Sequence, residues 1–300
     1  MILVVGATGV LGGLITRRLL DDGKDVRILL RHNSPAEEMA GQGMATSPRS
    51  LIDAGAQPVY GDLKDRNSLA RSCEGIETVI TTANSAMRGG DDTVDTVDRQ
   101  GNCNLIEAAR AAGVKQFIFT SFLGASSDSP VPLFQAKAET EGALRESGMP
   151  YTILAPNFMV ESWVGMVVGM PLQDRQPVTL VGEGQRQHSL ISVRDVAAFA
   201  VAAAGHPAAI TQRLALGGPE PVTWRGIVEA FGQVLGQELP VRFVAPGEPI
   251  PGRPDIAPPL LAGMETYDSP VPMAETARTF GVQMTPLAST IRGMLGAPGA

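Results

Sequence analysis

An apolar tetrapeptide, Ile2–Val5, runs directly into Gly6-Ala7-Thr8-Gly9-Val10-Leu11-Gly12. No other stretch constrains the fold as tightly. Four apolar residues in a row read as a strand buried on both faces. Val10, Leu11, Ile15, Leu19 and Leu20 then recur at helical spacing, and Gly23 ends that helix. The glycines fall in the turn between strand and helix, and each has a distinct task. Gly6 permits the sharp turn, Gly9 lets an anion approach the backbone, and Gly12 lets the helix pack close to the strand. The free N–H groups and the dipole of the helix start then hold a pyrophosphate. A glycine pattern alone could also shape nothing more than a tight connection. Its position between strand and helix favours a dinucleotide.

Strand and helix signals go on alternating. Strands are expected at Val26–Leu30, Gln57–Tyr60, 78–82, Gln116–Thr120 and 151–155. Helices are expected around 68–72, over 93–112 and over 134–146, while the polar stretch 33–49 reads mainly as loop. Continuous apolar strands alternating with amphipathic helices imply a parallel sheet covered on both faces, a doubly wound Rossmann fold of the α/β class. After Pro156 prolines become frequent, and helices are expected only at 193–204, 224–235 and 273–280. The expected organisation is a dinucleotide-binding domain over 1–155 and a smaller C-terminal α/β, substrate-binding lobe over 156–300. Residues 188–206 are expected to return to the Rossmann core.

Composition narrows the partners. The chain of 300 residues is 44% hydrophobic and 18% charged, with a net charge of -7. That describes a globular protein and disfavours nucleic acid or an anionic membrane as partner. Cys73 and Cys103 form no CxxC pair, so no metal site is expected. The start of the chain has no basic segment before its apolar run, and a cytoplasmic setting is the expectation.

The end of the second strand bears on which dinucleotide binds. An acidic residue there would hold the ribose 2′-hydroxyl of NAD. This chain has Arg31, which suits the 2′-phosphate of NADP, with NAD as the second choice. A solvated surface arginine is the plainer alternative. Asp62, after the third strand, is placed to accept from the adenine amine, or to serve as an ordinary turn carboxylate.

GATGVLG (6–12), LLR (29–31), GDL (61–63), TSFLG (120–124) and QAKAETEGALRESGMPYTILAPNFM (135–159) together resemble the NmrA-like group of atypical short-chain dehydrogenase/reductases. The likeness continues through HSLISVRDVAAFAV (188–201). It implies a Rossmann core, a small substrate lobe, and either an NADPH-dependent reductase of quinone- or enone-like molecules or a non-catalytic dinucleotide sensor that binds another protein. Short-chain dehydrogenases use Tyr-x-x-x-Lys. Here Lys137 takes the lysine position, but Leu133 stands where the tyrosine would be, and leucine transfers no proton.

The resemblance therefore implies Lys137 as ribose ligand and remaining proton donor, against an ordinary exposed lysine. It implies Gly6, Thr8, Gly9, Val10, Leu11, Gly12, Arg31, Asp62 and Leu63 around the adenosine and pyrophosphate. Thr82, Ala83 and Asn84 are expected along the cofactor ribose, and Ser121, Phe122, Pro156, Asn157 and Phe158 around the nicotinamide. Ser121 could instead satisfy local backbone groups. Leu123, Met159, Trp163 and His188 are the substrate-side candidates. For Met159 and Trp163 core packing is an equal alternative, and a lone histidine more often makes a structural hydrogen bond.

Overall fold

Parallel strands need both faces covered, and β5 (Gln116–Thr120) is buried at all five positions. The computed structural model describes residues 1–32, 34–41, 45–86, 88–250 and 257–296. β5 sits in a seven-stranded sheet with β1 (Ile2–Val5), β2 (Val26–Leu30), β3 (Gln57–Tyr60), β4 (Thr78–Thr81), β6 (Tyr151–Pro156) and β8 (Gln212–Leu216), in the order β3-β2-β1-β4-β5-β6-β8. β1 lies parallel between β2 and β4, with Val4 opposite both Ile28 and Ile80. The order reverses at β1, so β1 and β4 part on opposite sides of a crevice at their C-terminal ends. This is the Rossmann-like arrangement expected from the sequence.

Helices α1 (Val10–Asp21), α4 (Arg66–Ser72), α5 (Gln100–Ala111) and α6 (Pro132–Glu146) connect these strands. Phe117 and Phe119 alternate onto one face of β5 and join Leu105 of α5, Leu144 of α6 and Ile153 of β6 in one core. Burying such a side chain is worth about 1.5–3 kcal/mol. The stretch read as loop over 33–49 holds two short helices, α2 (Ala36–Gly41) and α3, which extends over Pro48–Asp53. Asn33, within that stretch, lies outside the described residues. Ser47 caps α3 by accepting from Ser50 N–H, with Pro48 at its first position. The helix expected over 93–112 begins as a wider π-helical turn, Val94–Arg99, before α5.

The chain divides into two units. The first comprises Met1–Pro156, Val196–Ala215 and Thr279–Val282, and the second Asn157–Asp195, Leu216–Arg278 and Gln283–Ala300. In the second, β7 (Val178–Val181) pairs in parallel with β9 (Val241–Val244). Helix α10 (Trp224–Leu235) buries Trp224, Ile227, Val228 and Phe231 along one stripe. Thr223 caps its start, and Gly236 ends it with a φ of 69°. Its neighbour in the same unit is α13 (Leu287–Met294). Among the described residues no helix is long and apolar enough to cross a membrane.

Candidate functional site

The glycine turn separates the three tasks assigned to it. Gly6 has a φ of 85°, which disfavours any side chain. A Cβ on Gly12 would lie 2.1 Å from the Gly6 carbonyl oxygen, so Gly12 is a packing requirement. Gly9 differs. Its backbone is extended (φ -73°, ψ 163°), and a Cβ there would meet only the Gly6 carbonyl oxygen, at 3.3 Å. The contact is tight but far milder than the one at Gly12, and it leaves the outer side of Gly9 open to approach by a ligand. No side chain caps α1, and Val10 beside the turn is half exposed. Uncapped N–H groups above a Cβ-free cradle fit a pyrophosphate. Gly13 is a further constraint that sequence reasoning missed. A Cβ there would lie 2.0 Å from Thr46 Oγ1, and Thr46 N–H donates to the Thr8 carbonyl. The Gly12-Gly13 doublet was its only signal.

Beside the turn is a cleft that brings Gly6, Thr8, Arg31, Asp62, Leu63 and Ala83 together with Arg88 and Asp92. Arg31 extends from the end of β2 and donates through Nη1 to Asp92 Oδ2 at 2.5 Å. Lys64 Nζ donates to Asp92 Oδ1 at 2.7 Å, and Arg88 Nη1 lies 3.7 Å from Oδ2. The hydrogen bond to Asp92 raises the Lys64 pKa; burial pushes the Asp92 carboxyl up, but Lys64 and Arg31 together hold it below its ordinary value. Asp62 Oδ1 accepts from the Lys64 backbone N–H, a turn contact that leaves the residue on the cleft wall. Leu63 is buried, and its carbonyl accepts from Asn104. Lys64, Arg88 and Asp92 were not foreseen. They come from two loops with no spacing pattern.

Thr82 N–H donates to the Val5 carbonyl, and Asn84 Nδ2 to the Thr82 carbonyl, which fixes the segment after β4 next to the turn. At the end of β5, Lys137 is 6% exposed and its Nζ donates to the Thr120 carbonyl at 2.9 Å. It also lies 4.9 Å from the centre of the Phe119 ring. Burial pulls its pKa down against the opposing fields of Asp98 and Glu141. Lys137 is therefore not a surface lysine. Leu133 lies one helical turn before it on α6, where it presents no exchangeable proton. Asp98 Oδ1 and Thr120 Oγ1 are buried without a hydrogen-bond partner among the described residues, so this end of β5 has polar capacity to spare.

Ser121 Oγ donates to Glu141 Oε1 at 2.6 Å. Glu141 in turn receives Arg213 at 3.0 Å and Arg145 at 2.8 Å. The Ser121 hydroxyl is thus tied into a buried ionic network, and Arg213 also donates to the Phe122 and Leu123 carbonyls. Phe122 stacks on Phe134 at 4.3 Å. Pro156 ends β6.

The remaining candidates lie in the second unit. Asn157 is buried, donating to Ser269 and accepting from Phe158 N–H. Phe158 meets Trp163 edge to face at 4.6 Å, and Met159 bridges to Ile191. His188 is 1% exposed, with Nδ1 2.7 Å from Ser269 Oγ and Nε2 3.1 Å from the Met264 carbonyl. Both ring nitrogens are occupied, and burial lowers its pKa, so it acts as a neutral strut within that unit. These contacts are those of the structural alternative given for a lone histidine, beside its place among the substrate-side candidates.

Residues 1–255 match the NmrA-like family. The chain belongs to that family. Assembly factors and reductases are both among its relatives. It is 37% identical over 183 residues to the photosystem II assembly factor Ycf39 of Cyanophora paradoxa, covering 61% of this chain but only 52% of that protein. It is 29% identical to the NAD(P)H azoreductase of Xenophilus azovorans over 82% of this chain and 77% of the azoreductase. The NADPH-dependent quinone oxidoreductase QOR2 of Escherichia coli, solved with NADPH, shares the fold with a TM-score of 0.78 and 22% identity, over 98% of this chain and 100% of that one. The triphenylmethane reductase of Citrobacter sp. gives 0.76 at 21% identity, covering 98% and 99%.

Proposed function

We propose that this family member binds NADP(H), with NAD(H) as a weaker ligand, and reduces a hydrophobic quinone- or enone-like molecule. The observation that carries the reading is Arg31 on the wall of the cleft beside the glycine turn, with Lys64 and Arg88 gathered around the same Asp92 carboxylate. Arg31 stands where an NAD-binding chain would carry a carboxylate, and Lys64 and Arg88 add charge of the same sign. A 2′-phosphate suits that cleft, and the pyrophosphate suits the open cradle at Gly9. The bound nicotinamide supplies a hydride.

The chain's own residues position and protonate. Lys137, anchored on the Thr120 carbonyl, is the group assigned to hold the ribose and to deliver the proton that completes the two-electron reduction. Its depressed pKa makes it a better acid than an exposed lysine. Ser121 is assigned a positioning role through Glu141. The substrate is assigned to Met159 and Trp163 of the second unit, both half-buried.

A second reading rests on Leu133 and on the relatives named assembly factors. In it the chain binds the dinucleotide without turnover and signals its state to a protein partner. NADPH oxidation, followed across a panel of quinones, enones and aldehydes, separates the two. Turnover with any of them supports the reductase. Tight NADPH binding with none oxidised supports the sensor, and a pull-down with and without NADPH then becomes the decisive assay.

A further inference from the structure

Asp92 is the least expected member of the cleft. Three cations from three separate segments meet on this one carboxylate: Arg31 at the end of β2, Lys64 after β3 and Arg88 after β4. Its side chain is only 9% exposed, whereas the three cations keep between 28% and 36% of theirs in water. The carboxylate is thus the inner member and the cations form a ring around it. Gly89 and Gly90, with φ of 74° and 61°, build the tight turn in which Gly89 pairs with Asp92 and which presents the carboxylate to the ring.

Charge counting shows what the arrangement lacks. Arg31, Lys64 and Arg88 contribute three positive charges, and Asp92 removes one. Asp62, on the same wall, removes one more at most. In the cleft lining itself Arg31 and Arg88 balance Asp62 and Asp92, so the positive charge in excess is that of Lys64, which bonds Asp92 from outside that lining; the buried Asp98 also reaches Arg88 with its field. A phosphate monoester carries about one and a half to two negative charges at neutral pH and accepts from several donors at once. Without some anion in their midst, the three cations would repel one another.

We propose that Asp92 is an internal stand-in for the ribose phosphate. It holds the three cations together when no ligand is bound and competes with the 2′-phosphate for them, so that it sets the preference of the chain between NADP and NAD. This rests on the NADP(H) reading above. The phosphate takes Arg31 and Lys64 from Asp92, or shares them with it at the cost of placing two anions side by side. In both cases the carboxylate weakens NADP(H) and leaves NAD(H), which carries a hydroxyl there, nearly untouched.

The test is Asp92→Asn, which keeps the side-chain shape and removes the charge, titrated with NADPH and NADH by calorimetry at low and high salt. The expected result is an NADPH Kd lowered about tenfold, or about 1.4 kcal/mol, with the NADH Kd changed less than about twofold. The NADPH gain should shrink at high salt. Lys64→Met, at a more exposed position, is the second variant and should weaken NADPH several-fold while sparing NADH. Equal changes for the two dinucleotides, weaker NADPH binding by Asp92→Asn, or a loss confined to NADH would each overturn the inference while leaving dinucleotide binding intact. A wild-type chain that binds neither NADPH nor NADH would overturn the NADP(H) reading, and this inference with it.

Discussion

Gly9→Val tests the dinucleotide reading at the position where fold and ligand make different demands. Gly9 has an extended backbone open to any residue, and its Cβ would meet one atom, the Gly6 carbonyl oxygen at 3.3 Å. That contact is tight but leaves room for a small shift, so the substitution should cost less stability than Gly12→Ala. The two branches of valine then stand in the cradle that faces the uncapped start of α1. A pyrophosphate kept off that helix end loses at least two charge-assisted hydrogen bonds. At about 1.5 kcal/mol each, the low end for such bonds, this is about 3 kcal/mol, or a Kd raised at least a hundredfold. Gly12→Ala is the contrast. Its Cβ would lie 2.1 Å from backbone at Gly6 O, so this smaller substitution should cost stability, at the upper end of about 1–3 kcal/mol for overpacking. Calorimetry with NADPH and a thermal melt of each variant give the answer. The reasoning fails if Gly9→Val binds NADPH as the wild type does, or if Gly9→Val melts early while Gly12→Ala does not.

Three further outcomes follow from the same geometry. Arg31→Ala removes a cation worth about 1.5–3 kcal/mol to a phosphate, so NADPH should weaken about ten- to a hundredfold and NADH far less; equal weakening would reduce Arg31 to an adenine contact. Lys137→Met takes away a buried ammonium that donates to the Thr120 carbonyl and faces Asp98 and Glu141, so the melting temperature should fall, and turnover by the folded protein should fall about a hundredfold or more; unchanged turnover would remove Lys137 from the chemistry. His188 has a folded pKa below its unfolded value because burial disfavours the imidazolium, so its stabilising contribution is complete above the ordinary imidazole pKa and is lost as pH falls below it. The melting temperature should then drop more steeply from pH 7 to 5 in wild type than in His188→Gln, and an NMR titration placing the His188 pKa above that of an exposed histidine would refute the sign.

What the sequence discloses follows from how local the physics is. Most strands of the large sheet are legible because a parallel strand buried on both faces has an apolar centre, as in Ile2–Val5 and at Phe117, Ile118 and Phe119, whereas the edge strand β3 is mostly exposed. β8 escapes because its outer residues Gln212 and Arg213 are exposed, and α2 because six residues hold too few turns to show a period. For α3 a signal existed in Ser47-Pro48, an N-cap followed by proline. The same division runs through the site. The glycine turn is a single segment whose demands are written in consecutive residues, so it can be read directly. Glu141 and Arg213 meet across 72 residues, and Arg31 and Asp92 across 61. Each of those residues taken alone is an ordinary charged side chain. Only the strand order, which sets the ends of β2, β3 and β4 around one crevice, joins Arg31, legible by its place after β2, with two further loop cations and a loop carboxylate in one charged ring. On the proposed reading, cofactor preference is a property of topology more than of the fingerprint. A sequence comparison limited to the end of β2 would see Arg31 and miss the anion that opposes it.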